Sequence, residues 1–126
     1  MTKEQQRFAI AEACGWKNAD HPDVMQFKQG WTMPERWCMD PKGVLRLNHD
    51  RPDYLNDLNA MHEAEKVLWD TGKAMEFTNQ LVGIVCSARG FRWDKGTPDD
   101  HLMCLSHATA AQRAEAFLRT LNLWIE

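Results

Sequence analysis

The segment Asp53-Tyr-Leu-Asn-Asp-Leu-Asn-Ala-Met-His-Glu-Ala-Glu-Lys-Val-Leu68 carries the best-marked helical pattern in the chain. At about 100° per residue its apolar side chains form one broad stripe that contains Tyr54, Leu58, Met61 and Leu68. Asp53 is predicted as the N-cap, because a carboxylate suits the partial positive charge at a helix N-terminus. So broad a stripe predicts a helix that is covered on most sides, with Trp69 at its end in the core.

Two further helices are marked by capping boxes, in which the first and fourth residues hydrogen-bond each other's backbone. Thr2-Lys-Glu-Gln5 predicts a helix from about Lys3 to Cys14, with Gly15 as a left-handed C-cap. Thr109-Ala-Ala-Gln112 opens a helix near the other end of the chain. Its apolar stripe contains Ala110, Ala114, Phe117, Leu118, Leu121 and Trp124, and Arg113 is predicted to lie outside it.

The remaining segments predict short strands. Asp40-Pro41-Lys42-Gly43 fits a β-turn between residues 37–39 and 44–47, which indicates a hairpin. After a break at Thr71-Gly72, helical spacing returns and is predicted to end near Gly83, followed by a strand, and residues 101–106 predict another strand. The expected fold is α+β, a single domain over residues 1–126 with a small antiparallel β-sheet sandwiched between helix layers, an α/β/α sandwich.

Composition narrows the classes of function. A formal net charge of −3 lacks the basic excess of proteins that attach to phosphate backbones, so non-specific nucleic-acid binding is not expected. No apolar run reaches the roughly 20 residues that span a bilayer, and the first residues lack the apolar core of a signal peptide, so we expect no membrane and a cytosolic location. The four cysteines form no CxxC pair, which predicts thiols rather than a disulfide scaffold.

Two segments resemble a known family. Tyr54-Leu-Asn-Asp-Leu-Asn-Ala-Met-His-Glu-Ala-Glu-Lys66 and Ala108-Thr-Ala-Ala-Gln-Arg-Ala-Glu-Ala-Phe-Leu-Arg-Thr-Leu121, together with the helix end Ala13-Cys-Gly-Trp16, resemble the phage ABA sandwich domain family of small phage and prophage proteins. Residues 17–36 and 73–96 match it poorly. The resemblance implies a phage origin and a sheet between helix layers, but no reaction, because the shared segments are mainly helix-packing motifs.

Motifs for metal and cofactor chemistry are weak in this sequence. His101-x-x-Cys104-x-x-His107 is the closest cluster of metal-ligand types, but residues three apart on a strand point to opposite faces. His62-Glu63 has no second histidine at zinc-protease spacing, and neither a Walker loop nor GxGxxG is present. The sequence therefore predicts no metal and no cofactor.

Two features remain as candidates for binding. Glu65 falls within the apolar stripe of its helix with His62 on the shoulder, which indicates a cleft carboxylate or, alternatively, one that pairs with an arginine or reaches solvent. The segment after residue 88 combines arginines with aromatic rings, which together suit phosphates and flat rings, although a solvated turn is the alternative. The predicted ligand-binding residues are Arg89, Phe91, Arg92, Trp93, Trp31, Trp37, His62 and Glu65.

The functional hypothesis that follows is a non-enzymatic phage accessory protein in the host cytoplasm. It would counter host defence by sequestering a nucleotide-like signalling molecule, and a homo-oligomer would place such pockets between subunits. The first alternative is an inhibitor or regulator of a host or phage protein, for which exposed tryptophans would mark an interface. The second is a small hydrolase that uses His62 or His101 with a carboxylate such as Glu65 or Asp99.

Overall fold

A computed structural model describes residues 1–18, 37–90 and 98–126, without the side chains of Trp37, residues 98–101 and Cys104. Within these ranges the chain is mostly helical with a small antiparallel sheet, so the α+β prediction is confirmed. In chain order the elements are α1 (Lys3–Ala13), β1 (Trp37–Met39), β2 (Leu45–Leu47), a 3₁₀ turn (Asn48–Asp50), α2 (Leu58–Asp70), α3 (Ala74–Ala88), α4 (Pro98–His107) and α5 (Ala110–Thr120).

Both ends of α1 have the predicted geometry. The Thr2 hydroxyl accepts a hydrogen bond from the Gln5 backbone N–H at 3.1 Å, and the Gln5 side chain accepts one from the Thr2 N–H at 2.8 Å. After the helix, Gly15 adopts a φ of +98° and the Trp16 N–H bonds the Ala11 carbonyl at 2.9 Å. A β-carbon at Gly15 would also lie 3.3 Å from Pro41. Glycine is therefore required here both for its backbone conformation and for contact with the hairpin.

The predicted hairpin is confirmed. β1 and β2 pair antiparallel with Cys38 opposite Arg46, and Gly43 closes the turn at a φ of +83°. Asp40 organises this turn, because its buried carboxylate accepts hydrogen bonds from the Val44 N–H at 2.9 Å, the Lys42 N–H at 3.0 Å and the Arg46 side chain at 3.2 Å. These bonds hold the pKa of Asp40 below its ordinary value.

Helix α2 begins later than the sequence indicated. Asp57, not Asp53, is the N-cap, and its carboxylate accepts hydrogen bonds from the N–H groups of Asn59 at 3.0 Å and Ala60 at 3.3 Å. Asp53 instead opens the preceding turn, where its carboxylate binds the Asn56 amide and Arg7, each at 2.9 Å. Because both aspartates precede helical spacing, the pattern alone did not distinguish the turn from the helix.

Both strands predicted in the C-terminal half are wrong. The apolar run after Gly83 continues α3 as far as Ala88, with Val85 and Cys86 buried. Residues 101–106 lie inside α4. A short apolar run has no clear period of its own. In α3 the burial of Val85 and Cys86 stabilises the helix despite the β-branched residues of the run, whereas Leu102 and Met103 of α4 are exposed, so that run is not the buried segment that the sequence indicated.

The apolar core lies between the helices, and α5 packs against α1, α2 and α3. Phe117 and Leu118 of α5 are completely buried, as are Met61 of α2 and Leu81 of α3. Trp69 was predicted to be in the core, which is wrong, since 74% of it is exposed. The helix that organises the core is therefore α5 rather than α2.

Among the described residues the sheet has two strands, extended by one isolated bridge between Lys17 and Met39. That bridge joins the end of α1 to the hairpin through two hydrogen bonds of 2.9 and 3.0 Å. A sheet enclosed by helix layers is not seen in these ranges, so the sandwich arrangement stays a prediction. None of the described helices combines the length and the apolar character needed to cross a membrane.

Candidate functional site

The predicted ligand-binding residues are only partly described. Arg89 is the C-cap residue of α3 and is exposed. Trp37 is the first residue of β1, and its side chain lies outside the described part of the structure. Phe91, Arg92, Trp93 and Trp31 lie outside the described residues. Of the predicted arginine and aromatic residues, the structure therefore places the side chain of Arg89, at the end of a helix.

Glu65 has a structural partner. It is buried at 9% exposure, and its carboxylate accepts hydrogen bonds from Nη1 of Arg113 at 3.0 and 3.4 Å. Nη2 of Arg113 donates to the Leu105 carbonyl near the end of α4 at 2.8 Å. Arg113 is not among the buried residues of α5, but its long side chain reaches inward to Glu65. The pair joins α2, α4 and α5, and the alternative that Glu65 pairs with an arginine is confirmed.

His62 lies on the same helix as Glu65 but is exposed. A hydrolase built on these two residues would need the carboxylate to orient or deprotonate the imidazole, whereas Glu65 is held by Arg113 instead. The other acid and base proposed, Asp99 and His101, have no described side chains. Among the described residues no group of three histidine, cysteine or acidic side chains is placed to hold a metal ion.

A groove between α3 and α5 is a concave feature of the described part of the chain. Its volume is about 770 Å³, which is within the range of small-molecule sites. Asn79, Gln80, Gly83, Ile84, Ser87 and Ala88 line it from α3, and Gln112, Glu115 and Arg119 line it from α5. The sequence did not indicate this groove, because its walls combine polar and apolar side chains from two helices that are distant in sequence.

The charges in this groove are engaged within the protein. Arg119 bonds Glu115 at 2.9 Å and Glu126 at 3.3 Å, and its guanidinium lies 4.9 Å from the centre of the Trp124 ring. The Gln112 side-chain oxygen accepts the capping bond from the Thr109 N–H at 2.9 Å. What this groove offers a ligand is therefore mainly amide and hydroxyl hydrogen bonding, without a carboxylate free for acid–base chemistry among its lining residues.

Three side chains, those of Cys14, Trp16 and Tyr54, form a cluster where α1 meets the turn before α2. The Tyr54 hydroxyl forms hydrogen bonds with the side chains of Cys14 and Trp16. Burial raises the pKa of the Cys14 thiol to about 11, and burial with the adjacent thiol raises the pKa of Tyr54 above its ordinary value. Cys14 is therefore protonated near neutral pH and is a poor nucleophile.

Comparison of the chain with protein-family models, with curated proteins and with solved structures gave no match in any of the three.

Proposed function

We propose that this chain is a non-enzymatic binding protein of phage origin that sequesters a nucleotide-like signalling molecule of its host in the host cytoplasm. The resemblance to the phage ABA sandwich domain family supports the phage origin and the sandwich arrangement as parts of this proposal. Counter-defence is the biological role that fits a small phage protein of this kind. In this proposal the ligand occupies the groove between α3 and α5.

The observation that carries the proposal is the position of Arg89. Ser87 and Ala88 form the end of the groove, and Arg89 follows them directly as the C-cap of α3. Phe91, Arg92 and Trp93 follow Arg89 closely in the sequence. Amide groups along its walls suit the edges of a base, while arginines suit phosphates and aromatic rings suit a base face.

The first test is native mass spectrometry of protein that has been expressed in a bacterial host and gently purified. We expect an extra mass of a few hundred daltons per subunit, which heating releases for identification by its fragmentation and ultraviolet spectrum. A bare subunit mass, both from uninfected cells and from cells in which nucleotide signalling has been induced, would contradict sequestration.

The triple variant Arg89→Ala/Arg92→Ala/Trp93→Ala tests where the ligand lies. We expect it to lose the released mass while keeping the melting temperature, because Arg89 is exposed and contributes little to stability. The matched control is Lys42→Ala/Lys66→Ala/Trp69→Ala, which removes two exposed cations and one exposed tryptophan from other elements. Equal ligand retention by both variants would place the ligand elsewhere.

A second candidate function is inhibition of a host or phage protein. Trp69 and Met75 flank the turn between α2 and α3, and they are 74% and 78% exposed. Tryptophan and methionine are enriched at protein interfaces, so exposure of both next to one turn favours this alternative. If it holds, a polypeptide rather than a small molecule co-purifies, and Trp69→Ala/Met75→Ala releases it whereas the Arg89 triple variant does not.

The hydrolase alternative is weaker, because Glu65 is bonded to Arg113 and Cys14 is a poor nucleophile. It makes a separate prediction. If His62 or His101 acts as a base, His62→Ala or His101→Ala abolishes turnover of an activated phosphate or carboxylate ester while the melting temperature stays the same. Without detectable turnover by the wild-type protein this alternative is excluded for the esters assayed.

A further inference from the structure

A small cavity lies between α1 and the segment that leads from β2 to α2. Its volume is about 150 Å³, and the groove between α3 and α5 shares none of its lining residues. Glu4, Arg7 and Phe8 line it from α1, and Asn48, His49, Arg51, Pro52 and Asp53 line it from the other side. A volume of this size admits one compact group, not a nucleotide.

Arg51 is the unusual residue in this cavity. Its guanidinium stacks over Phe8 at 4.7 Å from the ring centre, and Nη2 donates to the Asn48 side chain at 3.3 Å. Its Nε–H is enclosed and has no acceptor among the described residues. Buried donors normally find partners, so this unsatisfied N–H on a residue that lines the cavity calls for an explanation.

The two carboxylates that line this cavity, Glu4 and Asp53, are both paired with Arg7. Arg7 bonds Asp53 at 2.9 Å and lies 3.6 Å from Glu4. Among the described residues Arg51 forms no ion pair with a carboxylate, although it is only partly exposed. Arg51 lines the cavity and is held against the Phe8 ring, and a guanidinium suits an acceptor that carries a negative charge.

The geometry points to a binding site for a compact monocarboxylate, with Arg51 as the group that holds it. A carboxylate matches the planar guanidinium with two parallel hydrogen bonds. Phe8 and Pro52 provide apolar surface for a short aliphatic body. Glu4 and Asp53 oppose a doubly charged phosphate more strongly than a single negative charge, so phosphate is the poorer ligand. The natural source is either a free short-chain acid or the C-terminal carboxylate of a peptide.

The experiment is a titration of the full chain followed by two-dimensional ¹H–¹⁵N NMR. The probes are propionate and its uncharged counterpart propionamide at constant ionic strength, observed through the Arg51 Nε–H signal and the backbone amides of residues 48–51 and 53. We expect propionate to give saturable shifts and propionamide to bind at least about tenfold more weakly, since it lacks the charge. Equal responses to the two probes, or no saturation with propionate, would overturn the proposal, and both results come from wild-type protein.

Two variants sharpen the assignment. Arg51→Lys keeps the charge but loses the fork, so the affinity for propionate should fall about tenfold or more. Arg46→Lys is the matched control, because Arg46 is paired with Asp40 and lies outside this cavity, and its affinity should equal that of the wild type. Unchanged affinity in folded Arg51→Lys would contradict the role of Arg51.

The same titration separates the two sources of the carboxylate. A tripeptide that ends in alanine with a free C-terminus is compared with its C-terminal amide and with propionate. If the free peptide binds more tightly than propionate and the amide does not bind, the site takes a chain terminus. If propionate binds more tightly than the free peptide, the site takes a free acid. Binding of the amide as tightly as the free peptide would contradict recognition of a carboxylate.

Discussion

Helices α2 and α5 have similar lengths and meet at the Glu65–Arg113 ion pair, but they are enclosed to different extents. Of the 11 residues in α5, six are buried, whereas four of the 13 in α2 are. Each of the two helices contacts three others in the described part of the chain: α5 contacts α1, α2 and α3, and α2 contacts α1, α3 and α5. The outer face of α2 is exposed and carries Trp69.

Small side chains account for this difference. Buried positions in α5 include three alanines, which allow neighbouring helices to approach from more than one side, and Phe117 and Leu118 fill the remaining space. Helix α2 has larger apolar residues, yet Leu58 and Trp69 point to solvent. The number of small residues, which permit close packing, therefore predicts how deeply a helix is buried better than the number of large apolar residues does.

The largest effect expected from this comparison comes from Phe117→Ala. It removes a completely buried ring from α5, which should lower the free energy of unfolding by about 3–5 kcal/mol. The matched substitution in α2 is Trp69→Ala, which should change it by less than about 0.5 kcal/mol because the ring is exposed. Urea denaturation measures both, and similar losses for the two variants would contradict the assignment of α5 as the central helix.

The contact between the two helices is tested at Glu65. Glu65→Ala leaves Arg113 in a largely buried position without its carboxylate, with an expected loss of about 3 kcal/mol. The double variant Glu65→Leu/Arg113→Met removes both charges and should recover most of that loss. A double-mutant cycle from urea denaturation gives the coupling energy. A double variant that is less stable than Glu65→Ala would show that the charges stabilise the fold beyond their mutual pairing.

The start of α2 is a smaller test. Asp57→Ala should cost about 1 kcal/mol and speed hydrogen exchange at the Asn59 and Ala60 amides, whose hydrogen bonds to Asp57 it removes. Asp53→Ala removes the bond to Arg7 but leaves these amides protected. Hydrogen exchange is measured by NMR. Faster exchange of the Asn59 and Ala60 amides in Asp53→Ala but not in Asp57→Ala would contradict the assigned N-cap.

The smallest expected effect is the contribution of Asp53 to the dependence of stability on pH. Hydrogen bonds from Asn56 and Arg7 lower the pKa of Asp53, so its contribution to stability is present above its unfolded pKa of about 3.9 and is lost as pH falls through the folded value. Asp53→Asn should therefore differ from wild type at pH 7 and converge with it towards pH 2, as urea midpoints would show. A constant difference across this range would exclude Asp53 as a source of acid sensitivity.

Local signals in the sequence predicted much of this fold. The capping boxes at Thr2 and Thr109, the glycine after α1 and the hairpin turn are short-range features that the structure confirms. The predicted strand in α3 was wrong because burial between helices, which is not a local property, determined the conformation of that apolar run. The predicted strand in α4 was wrong because so short an apolar run fits a helix as well as a strand, and its Leu102 and Met103 are exposed.

The candidate site was harder to predict than the fold. The position of Glu65 in an apolar stripe indicated a carboxylate that lies in a cleft, reaches solvent or pairs with an arginine, and the structure shows the arginine pair. That the partner is Arg113, 48 positions away, depends on how α5 docks on α2. The walls of the groove likewise come from two separate helices, so no single segment signals it.

Because the thiols of Cys14, Cys38 and Cys86 react poorly in the folded state, their alkylation can measure local opening of the structure. Cys38 and Cys86 are completely buried, and the raised pKa of Cys14 leaves only about one thiolate in a thousand at pH 8. In a Cys104→Ser background, alkylation at that pH therefore proceeds mainly through molecules that have transiently exposed these thiols. Mass spectrometry of the labelled sites would then rank the regions by how often they open, with the hairpin reported by Cys38, the end of α1 by Cys14 and the core of α3 by Cys86.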